Sequence, residues 1–240
     1  MPLFRSRPPT VALPFKVYSM KTFPGALIFD LNGTMINDME FHIRAWTEIL
    51  NKELKAGLNP EQVKTQMYGK NSELLVRVFG EGKFSEDEME YWSIEKEKRY
   101  QKAYRPHLEL IDGLEDLLKK AFSKNIPMGI GSAAIPFNID FILDALDIRK
   151  YFGAIVSADD VDVSKPHPET FLKAAGLLDT DAASCIVFED APKGVEAAIS
   201  AGMPCVILTT MHSRSEFPRA DNIIGYIKDY RDPLIPSLIQ

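Results

Sequence analysis

Five side chains able to do chemistry stand at or just beyond the ends of short apolar runs. Asp30 closes the run Ala-Leu-Ile-Phe, and Ser132 follows Met-Gly-Ile-Gly. Lys165 comes after the run Ala-Ile-Val, and the pair Glu189-Asp190 follows Cys-Ile-Val-Phe. Continuous apolar runs of this kind are typical of strands buried in a parallel sheet. The sequence therefore predicts one hydroxyl, one lysine and three carboxylates at one edge of a sheet.

These side-chain types suit a phosphoryl group and a divalent cation. Clustered carboxylates repel one another unless a cation lies among them, and hard oxygen ligands suit Mg²⁺. A lysine neutralises charge on phosphoryl oxygens, and a hydroxyl donates a hydrogen bond to them. A carboxylate can also act as the nucleophile and form an aspartyl phosphate. Little else is needed, because phosphoryl transfer depends mainly on positioning and charge stabilisation.

Each signal has an ordinary structural explanation when it is taken alone. Asn32-Gly33 is a strong turn former, and Glu189-Asp190 suits the first turn of a helix. Ser132 suits a strand end, and Lys165 suits a solvated loop. Because they occur in consecutive order at one predicted sheet edge, a shared site is favoured over chance.

Strands alternate with helices over the second half of the chain. Apolar runs predict strands at 26–31, 127–131, 154–157, 185–188 and 205–208, with helices at 113–124, 137–146, 168–175 and 193–201. This alternation gives βαβ units and a parallel sheet that is covered on both faces. Ligands bind such sheets outside the carboxyl ends of the strands. The predicted fold is a doubly wound α/β core.

The segment 37–105 contains helical patterns and no convincing strand. Apolar spacing predicts a first helix from about residue 39, with Gly57 as its C-cap. Asn59-Pro60 begins a second helix, a third follows, and the capping box Ser85–Glu88 begins a fourth that ends near Tyr104. We therefore expect a helical domain at 37–105, inserted into an α/β core formed by 20–36 and 106–240.

The first nineteen residues differ in composition from the rest. They contain three basic residues, four prolines and no acid. We expect a disordered tail at 1–19, with Met20 as the natural start, and a transit peptide is the open alternative.

Composition limits the partners of this chain. The net charge of −6 argues against nucleic acid or an anionic membrane as the main partner, and no apolar run is long enough to span a bilayer. Cys185 and Cys205 begin predicted strands, so we expect buried thiols in a reducing compartment and not a disulfide. We expect a cytoplasmic monomer whose partner is a small phosphorylated metabolite.

Four segments together resemble the motifs of the haloacid dehalogenase superfamily. They are Phe-Asp-Leu-Asn-Gly-Thr at 29–34, Gly-Ser-Ala at 131–133, Ser-Lys-Pro-His-Pro-Glu-Thr-Phe at 164–171 and Phe-Glu-Asp-Ala-Pro-Lys-Gly at 188–194. The helical segment resembles the C1-type cap. Its opening at 38–46 is similar to that of the β-phosphoglucomutase and sugar-phosphate phosphatase group. The resemblance implies a Rossmann-like core with an inserted all-helical cap domain.

The resemblance also implies a role for each site residue. Asp30 would be the nucleophile, and Ser132 and Lys165 would bind the phosphoryl oxygens. The implied Mg²⁺ set is Asp30, the backbone carbonyl of Asn32, Asp190 and, at or next to the metal, Glu189. The other implied substrate-binding positions are Gly33, Thr34, Ala133 and Asn138.

Two cap residues, His42 and Lys96, occupy positions where related mutases keep substrate-contacting side chains. Each has an ordinary alternative, because a helix histidine is often structural and Lys96 lies in the charged run 95–99, which suits a solvated face. A first departure from the mutase pattern follows Gly69, where that pattern carries an arginine that grips the distal phosphate. Here the segment Gly69-Lys70-Asn71-Ser72 contains Lys70 and no arginine. This departure counts against bisphosphate-dependent mutase specificity.

The second departure is Asn32, which stands where the family keeps a catalytic acid and base. A carboxamide is a poor proton donor and base near neutral pH, so proton transfer worth about 10²–10⁴-fold in rate is lost. Three consequences are open: a substrate whose leaving group needs no proton, His42 as substitute acid and base, or a phosphate sensor with little turnover. If proton transfer is the only loss, Asn32→Asp is expected to raise activity.

A dinucleotide-binding enzyme is the alternative from another class. The run Gly-Ile-Gly-Ser-Ala-Ala at 129–134 follows a predicted strand and fits the pattern G-x-G-x-x-A. The next strand lies beyond the usual spacing for the ribose-binding acid, and the pattern explains neither Asp30 nor Lys165. The phosphotransferase interpretation is therefore favoured.

Overall fold

The computed structural model describes residues 24–240, so the predicted tail at 1–19 and Met20 lie outside the described residues. The strands of the described chain are β1 (Ala26–Phe29), β2 (Met128–Gly131), β3 (Ala154–Val156), β4 (Cys185–Glu189), β5 (Cys205–Leu208) and β6 (Ile223–Ile227). They form one sheet in the order β3-β2-β1-β4-β5-β6, and every neighbouring pair is parallel.

Helices separate most of these strands, and one helix follows the last of them. Between β1 and β2 the chain forms α1 (Met39–Glu48), α2 (Pro60–Gln66), α3 (Asn71–Phe79), α4 (Glu86–Tyr104) and α5 (Leu114–Ser123). The later helices are α6 (Pro136–Ala145), α7 (Glu169–Leu177), α8 (Pro192–Ser200) and α9 (Leu234–Leu238). The predicted doubly wound, Rossmann-like α/β fold with a helical insertion is confirmed.

The strand order reverses at β1, which creates the crevice used by the site. Phe29 pairs with Ile130 of β2 on one side and with Phe188 of β4 on the other. In doubly wound sheets, this switch point is where ligands bind, outside the carboxyl ends of the strands. The residues directly after β1 and at the end of β4 are therefore brought together.

Separate apolar clusters cover the two faces of the sheet and the helical insertion. On one face, the rings of Phe29 and Phe188 stack with centroids 4.8 Å apart. Ile28 and Val187 belong to the cluster on the opposite face. A third cluster joins α1, α2 and α3 through residues such as Trp46. The strands are buried on both faces, which explains their uninterrupted apolar sequences.

Some predicted boundaries were wrong. β1 ends at Phe29 and not at 31, because a turn begins directly afterwards and the Gly33 amide donates to the Ile36 carbonyl (2.8 Å). Gly57 does not cap the first helix, since α1 continues into a π-helical turn at Ile49–Glu53 and Lys55 takes the left-handed conformation (φ 59°). β6 and α9 were not predicted, because β6 is a half-exposed edge strand and α9 is very short.

Two predicted helix starts were confirmed. Asn59 caps α2 by accepting a hydrogen bond from the Gln62 amide, and the capping box Ser85–Glu88 begins α4. Cys185 and Cys205 are buried free thiols. Between residues 24 and 240, no helix combines the length and the apolar composition needed to cross a bilayer.

Candidate active site

Three predicted carboxylates meet at the carboxyl ends of β1 and β4. Asp30 directly follows β1, Glu189 is the last residue of β4, and Asp190 comes next. One oxygen atom from each carboxylate lies within 4.8 Å of the others. All three side chains are buried. The register between the two central strands therefore assembles the acidic cluster that the sequence predicted.

Lys165 lies among these carboxylates. Its Nζ donates to Asp30 Oδ1 (2.7 Å) and to Glu189 Oε1 (2.8 Å). Burial works to lower the pKa of Lys165, but the two carboxylates outweigh burial and raise it above its usual range. The lysine therefore stays charged and fixes the orientation of the Asp30 carboxylate.

The acidic cluster carries more negative charge than Lys165 can balance. Burial raises the pKa of Asp30 to about 7, although Lys165 opposes this effect. Burial and the neighbouring carboxylates hold the pKa of Asp190 well above its usual range. A divalent cation among these oxygens would remove the repulsion, and buried carboxylate oxygens are the ligands that Mg²⁺ takes in proteins. The residues present fit a magnesium ion.

Both oxygens of Glu189 already accept hydrogen bonds from the protein. Oε1 accepts from Lys165, and Oε2 accepts from the backbone amides of Asp190 and Ala191, both at 2.8 Å. A Cβ on Gly194 would lie 1.7 Å from Glu189 Oε1, so only glycine fits there at the start of α8. Glu189 therefore organises the lysine and the loop that carries Asp190.

The turn after β1 is built around the Asp190 carboxylate. Thr34 Oγ1 donates to Asp190 Oδ1 (3.2 Å), and Thr210 Oγ1 donates to the Gly33 carbonyl (2.7 Å). Gly33 has a φ of +77°, and a Cβ there would lie 2.1 Å from Asp190 Oδ2. Gly33 and Thr34 therefore shape the site by contacting Asp190.

The second strand contributes a hydroxyl and one wall. Ser132 directly follows β2, is buried, and accepts a hydrogen bond from the Ala134 amide (3.1 Å). Ala133 lines the same cavity. Asn138, in α6, donates to Glu97 Oε2 of α4 (2.5 Å). Asn138 therefore connects the core to the helical insertion at the border of the cavity.

His42 and Lys96 reach the cavity from the helical insertion. Lys96 Nζ lies 2.6 Å from His42 Nδ1, and His42 Nε2 lies 3.1 Å from Asn32 Nδ2. Lys96 is only 3% exposed, so its interpretation as part of a solvated face is wrong. It also donates to Glu97 Oε1 (2.9 Å). The structure thus places His42 against Asn32 and Lys96 against the other ring nitrogen of His42.

A cavity of about 170 Å³ lies between the sheet edge and the insertion. This volume is below the range typical of pockets for drug-sized ligands, so it suits a small molecule. Its lining includes Asp30, Ser132, Lys165, Glu189 and Asp190. The remaining wall includes Met39, His42, Trp46, Met67, Gly69, Asn71, Leu74, Lys96, Glu97, Asn138 and Met211.

Hydrogen bonds hold the insertion against the core. Lys70 Nζ donates to the Val161 carbonyl (2.8 Å), and Ser164 Oγ donates to Glu73 Oε1 (2.9 Å). On the opposite side of the cavity, Lys64 Nζ donates to the Met211 carbonyl (3.2 Å). The Lys70 amine therefore binds core backbone and helps to hold the insertion on the core.

The sequence motifs did not predict several residues of the site. Asp38 contacts Asn32, Glu97 contacts Lys96, Tyr100 stacks on His42, and Thr210 contacts Gly33. One sequence signal was available, because Lys96, Tyr100 and Tyr104 repeat at helical spacing. Asp38 occupies the N-cap position of α1, but its side chain makes no capping hydrogen bond there.

Packing explains the glycines of the G-x-G-x-x-A run. Gly131 lies within β2, where an added Cβ would be 3.0 Å from the Phe171 ring of α7. A Cβ added to Gly129 would likewise lie 3.1 Å from Leu178 Cδ1. These glycines allow close approach of helix and strand, and no dinucleotide is needed to explain them.

Fold and site together define a doubly wound α/β protein with a helical insertion after its first strand and a site whose side chains suit phosphoryl transfer. Residues 27–208 match the family model of the haloacid dehalogenase-like hydrolases. This match covers well over half of the chain, so the chain belongs to the haloacid dehalogenase-like hydrolase family.

Relatives place the chain more narrowly. Fructose-1-phosphate phosphatase YqaB of Escherichia coli is 31% identical over 185 residues, covering 75% of this chain and 94% of the relative. Beta-phosphoglucomutase of Bacillus subtilis is 31% identical over 194 residues, covering 74% of this chain and 80% of the relative. A crystal structure of a HAD hydrolase of family IA, variant 3, from Entamoeba histolytica shares the fold, with a TM-score of 0.79, 24% identity and coverage of 89% and 96%. The protein is an enzyme of the phosphatase and phosphoglucomutase-like group of this family.

Proposed function

We propose that this protein is a Mg²⁺-dependent phosphatase that hydrolyses a small phosphorylated metabolite, such as a sugar phosphate, through an aspartyl phosphate on Asp30. The observation that carries the proposal is the buried arrangement of Asp30, Lys165 and Glu189, with Asp190 and Ser132 beside the same cavity. Relatives that include a fructose-1-phosphate phosphatase support a sugar phosphate as the substrate.

Asp30 is the nucleophile in this mechanism. Its carboxylate oxygen attacks phosphorus, the bond from phosphorus to the leaving oxygen breaks, and the electron pair stays on that oxygen. Lys165 holds the other carboxylate oxygen and neutralises phosphoryl charge, while Ser132 donates to a phosphoryl oxygen. Water then attacks the phosphorus of the aspartyl phosphate, and the bond from phosphorus to the Asp30 oxygen breaks. Inorganic phosphate leaves with the protons of the water, and the Asp30 carboxylate is restored.

The metal ligands would be Asp30, Asp190 and the backbone carbonyl of Asn32. Glu189 lies next to this set, because both of its oxygens accept from protein donors. When bound, Mg²⁺ would neutralise carboxylate and phosphoryl charge at this edge of the sheet. Asn32 leaves this ligand set intact, because only its backbone carbonyl belongs to it.

Phosphatase activity is favoured over bisphosphate-dependent mutase activity. Lys70 is bound to the Val161 carbonyl, and no arginine lines the described cavity that would grip a second phosphate. We also propose that the protein acts as a cytoplasmic monomer. Its buried free thiols suit a reducing compartment, and gel filtration tests the oligomeric state.

Trapping of the intermediate tests the proposed function. The protein is incubated with Mg²⁺ and a panel of ³²P-labelled sugar phosphates, acyl phosphates and pyrophosphate, and it is then quenched in acid. We expect label on the peptide that contains Asp30, released by hydroxylamine, and no label when EDTA replaces Mg²⁺. Binding of these ligands without label on any of them would instead support a phosphate sensor with little turnover.

The rate should depend steeply on the leaving group, because Asn32 cannot protonate the leaving oxygen. We expect log kcat/KM to fall steadily as the pKa of the leaving alcohol or phenol rises across a series of aryl and alkyl phosphates. Steady-state kinetics at constant pH measure this slope. A flat dependence would contradict the expectation and would indicate that His42 donates the proton.

A further inference from the structure

Asp38 is a buried carboxylate whose side chain lies against the active-site residue at position 32. The residue has 0% exposure. Its Oδ2 accepts from Asn32 Nδ2 (2.6 Å) and from Tyr100 Oη (2.5 Å), and it lies 3.1 Å from His42 Nε2. Oδ1 is buried and has no hydrogen-bond partner in the described chain. Within the described chain, all hydrogen bonds of this carboxylate are thus made by Oδ2, the oxygen that faces position 32.

Helix capping does not explain this carboxylate. Asp38 precedes α1, but within the described chain its side chain accepts no hydrogen bond from the backbone amides of the first turn of that helix. A carboxylate kept only for folding would satisfy both oxygens, because a buried unpaired acceptor is costly. The side chain of Asp38 is instead directed at the reaction centre.

The hydrogen-bond pattern fixes which atoms are donors. Lys96 can only donate, so His42 Nδ1 accepts from it and the proton of a neutral ring lies on Nε2. Nε2 then donates to Asp38, and its approach to Asn32 Nδ2 is a contact between two donors. Asp38 therefore holds the Asn32 amide and the His42 ring together.

This arrangement restricts the side chain at position 32. An amide nitrogen 2.6 Å from Asp38 Oδ2 donates a strong hydrogen bond to a charged acceptor. A carboxylate at the same place would bring two anionic oxygens to that distance in a buried site, and they would repel. Asn32→Asp alone therefore restores the family's acid but also introduces this repulsion with Asp38.

We propose that positions 32 and 38 are a charge-exchange pair, in which Asp38 is a positioning residue that fixes Asn32 and His42 and requires an amide donor at position 32. The exchanged pair, aspartate at 32 with asparagine at 38, keeps one negative charge and one amide and returns a proton-transfer group to position 32. The catalytic part of this inference rests on the proposed function, whereas the pairing itself does not.

A double-mutant cycle tests the pair in two independent readouts. Wild type, Asn32→Asp, Asp38→Asn and the double variant are compared by thermal unfolding in EDTA and by kcat and KM with Mg²⁺. We expect Asn32→Asp to lower Tm by on the order of 5 °C and to gain no activity. We expect the double variant to recover Tm and to exceed Asn32→Asp in kcat by about 10²-fold on substrates with poor leaving groups.

The matched control is Asn32→Asp combined with Glu97→Gln. Glu97 is a buried carboxylate of the same network, but its hydrogen bonds go to Lys96, Asn71 and Asn138 and not to position 32. This combination should not recover the Tm of Asn32→Asp.

The two readouts, Tm and kcat, distinguish a failure of the charge-exchange pair from a failure of the proposed function. Asn32→Asp with the Tm of wild type and higher activity, or equal recovery by Glu97→Gln, overturns the pair. Folding of the double variant where Asn32→Asp alone fails to fold supports it. Recovery of Tm without turnover by any variant supports the pair and contradicts the proposed function.

Discussion

Asp30→Asn is expected to abolish turnover, lowering kcat by on the order of 10⁴-fold or more, because the amide cannot form the aspartyl phosphate. Label from ³²P-substrates should disappear from the protein at the same time. The fold should persist, since the amide keeps the size of the side chain and its oxygen can still accept from Lys165. Removing one negative charge from the acidic cluster should leave binding of inorganic phosphate intact or make it tighter.

Steady-state kinetics, acid-quench labelling and phosphate titration by calorimetry check these outcomes together. The matched control is Asp179→Asn, at an exposed residue far from the cluster whose φ of 51° suits asparagine. Asp179→Asn should retain the label and the rate of wild type. Residual activity of Asp30→Asn within 10-fold of wild type would place the nucleophile elsewhere.

The strand-end residues of the site could be predicted because adjacent sequence identifies each of them. An apolar run precedes each of Asp30, Ser132 and Glu189, and parallel strands end at one edge of a sheet. Which strands are neighbours decides how close the residues come. The local sequence does not determine that order, and the structure shows that β1 lies next to β4.

The cap side of the site was less predictable, because its contacts join residues that are distant in sequence. Tyr100 reaches Asp38 across 62 positions, and Asn138 reaches Glu97 across 41. The charge of Lys96 favoured solvent, yet its amine is paired with Glu97 and His42 inside the protein. Charged residues are seldom buried unless they are paired, and the pairing partners were not visible in the local sequence.

The structure changes the meaning of Asn32. From the sequence, it removes a proton-transfer group and leaves the nucleophile and metal ligands in place. In the structure, the amide also donates to a buried carboxylate at 38, so the negative charge absent at 32 lies 2.6 Å away. The site has not simply lost an acid, because a neighbouring acid holds the replacement in position.

Lys165→Met is expected to have the largest effect on stability, about 3–5 kcal/mol in the free energy of unfolding, with loss of activity. Methionine fills similar volume but leaves Asp30 and Glu189 buried without their cation. Breaking a buried ion pair from one side is costly because the remaining charge is desolvated and unpaired. Urea unfolding in EDTA measures the change, with an unchanged m-value showing that the unfolding remains comparable.

Two controls separate burial from ion pairing in this prediction. Lys119→Met removes a pair with Glu115 that is equally short (2.6 Å) but exposed, so its stability should barely change. Adding Glu189→Gln to Lys165→Met removes one of the two carboxylate charges left unpaired. This double variant should recover part of the stability while activity stays lost. Equal losses from Lys165→Met and Lys119→Met would contradict the argument, because the carboxylates at the active site would then be solvated well enough to need no cation.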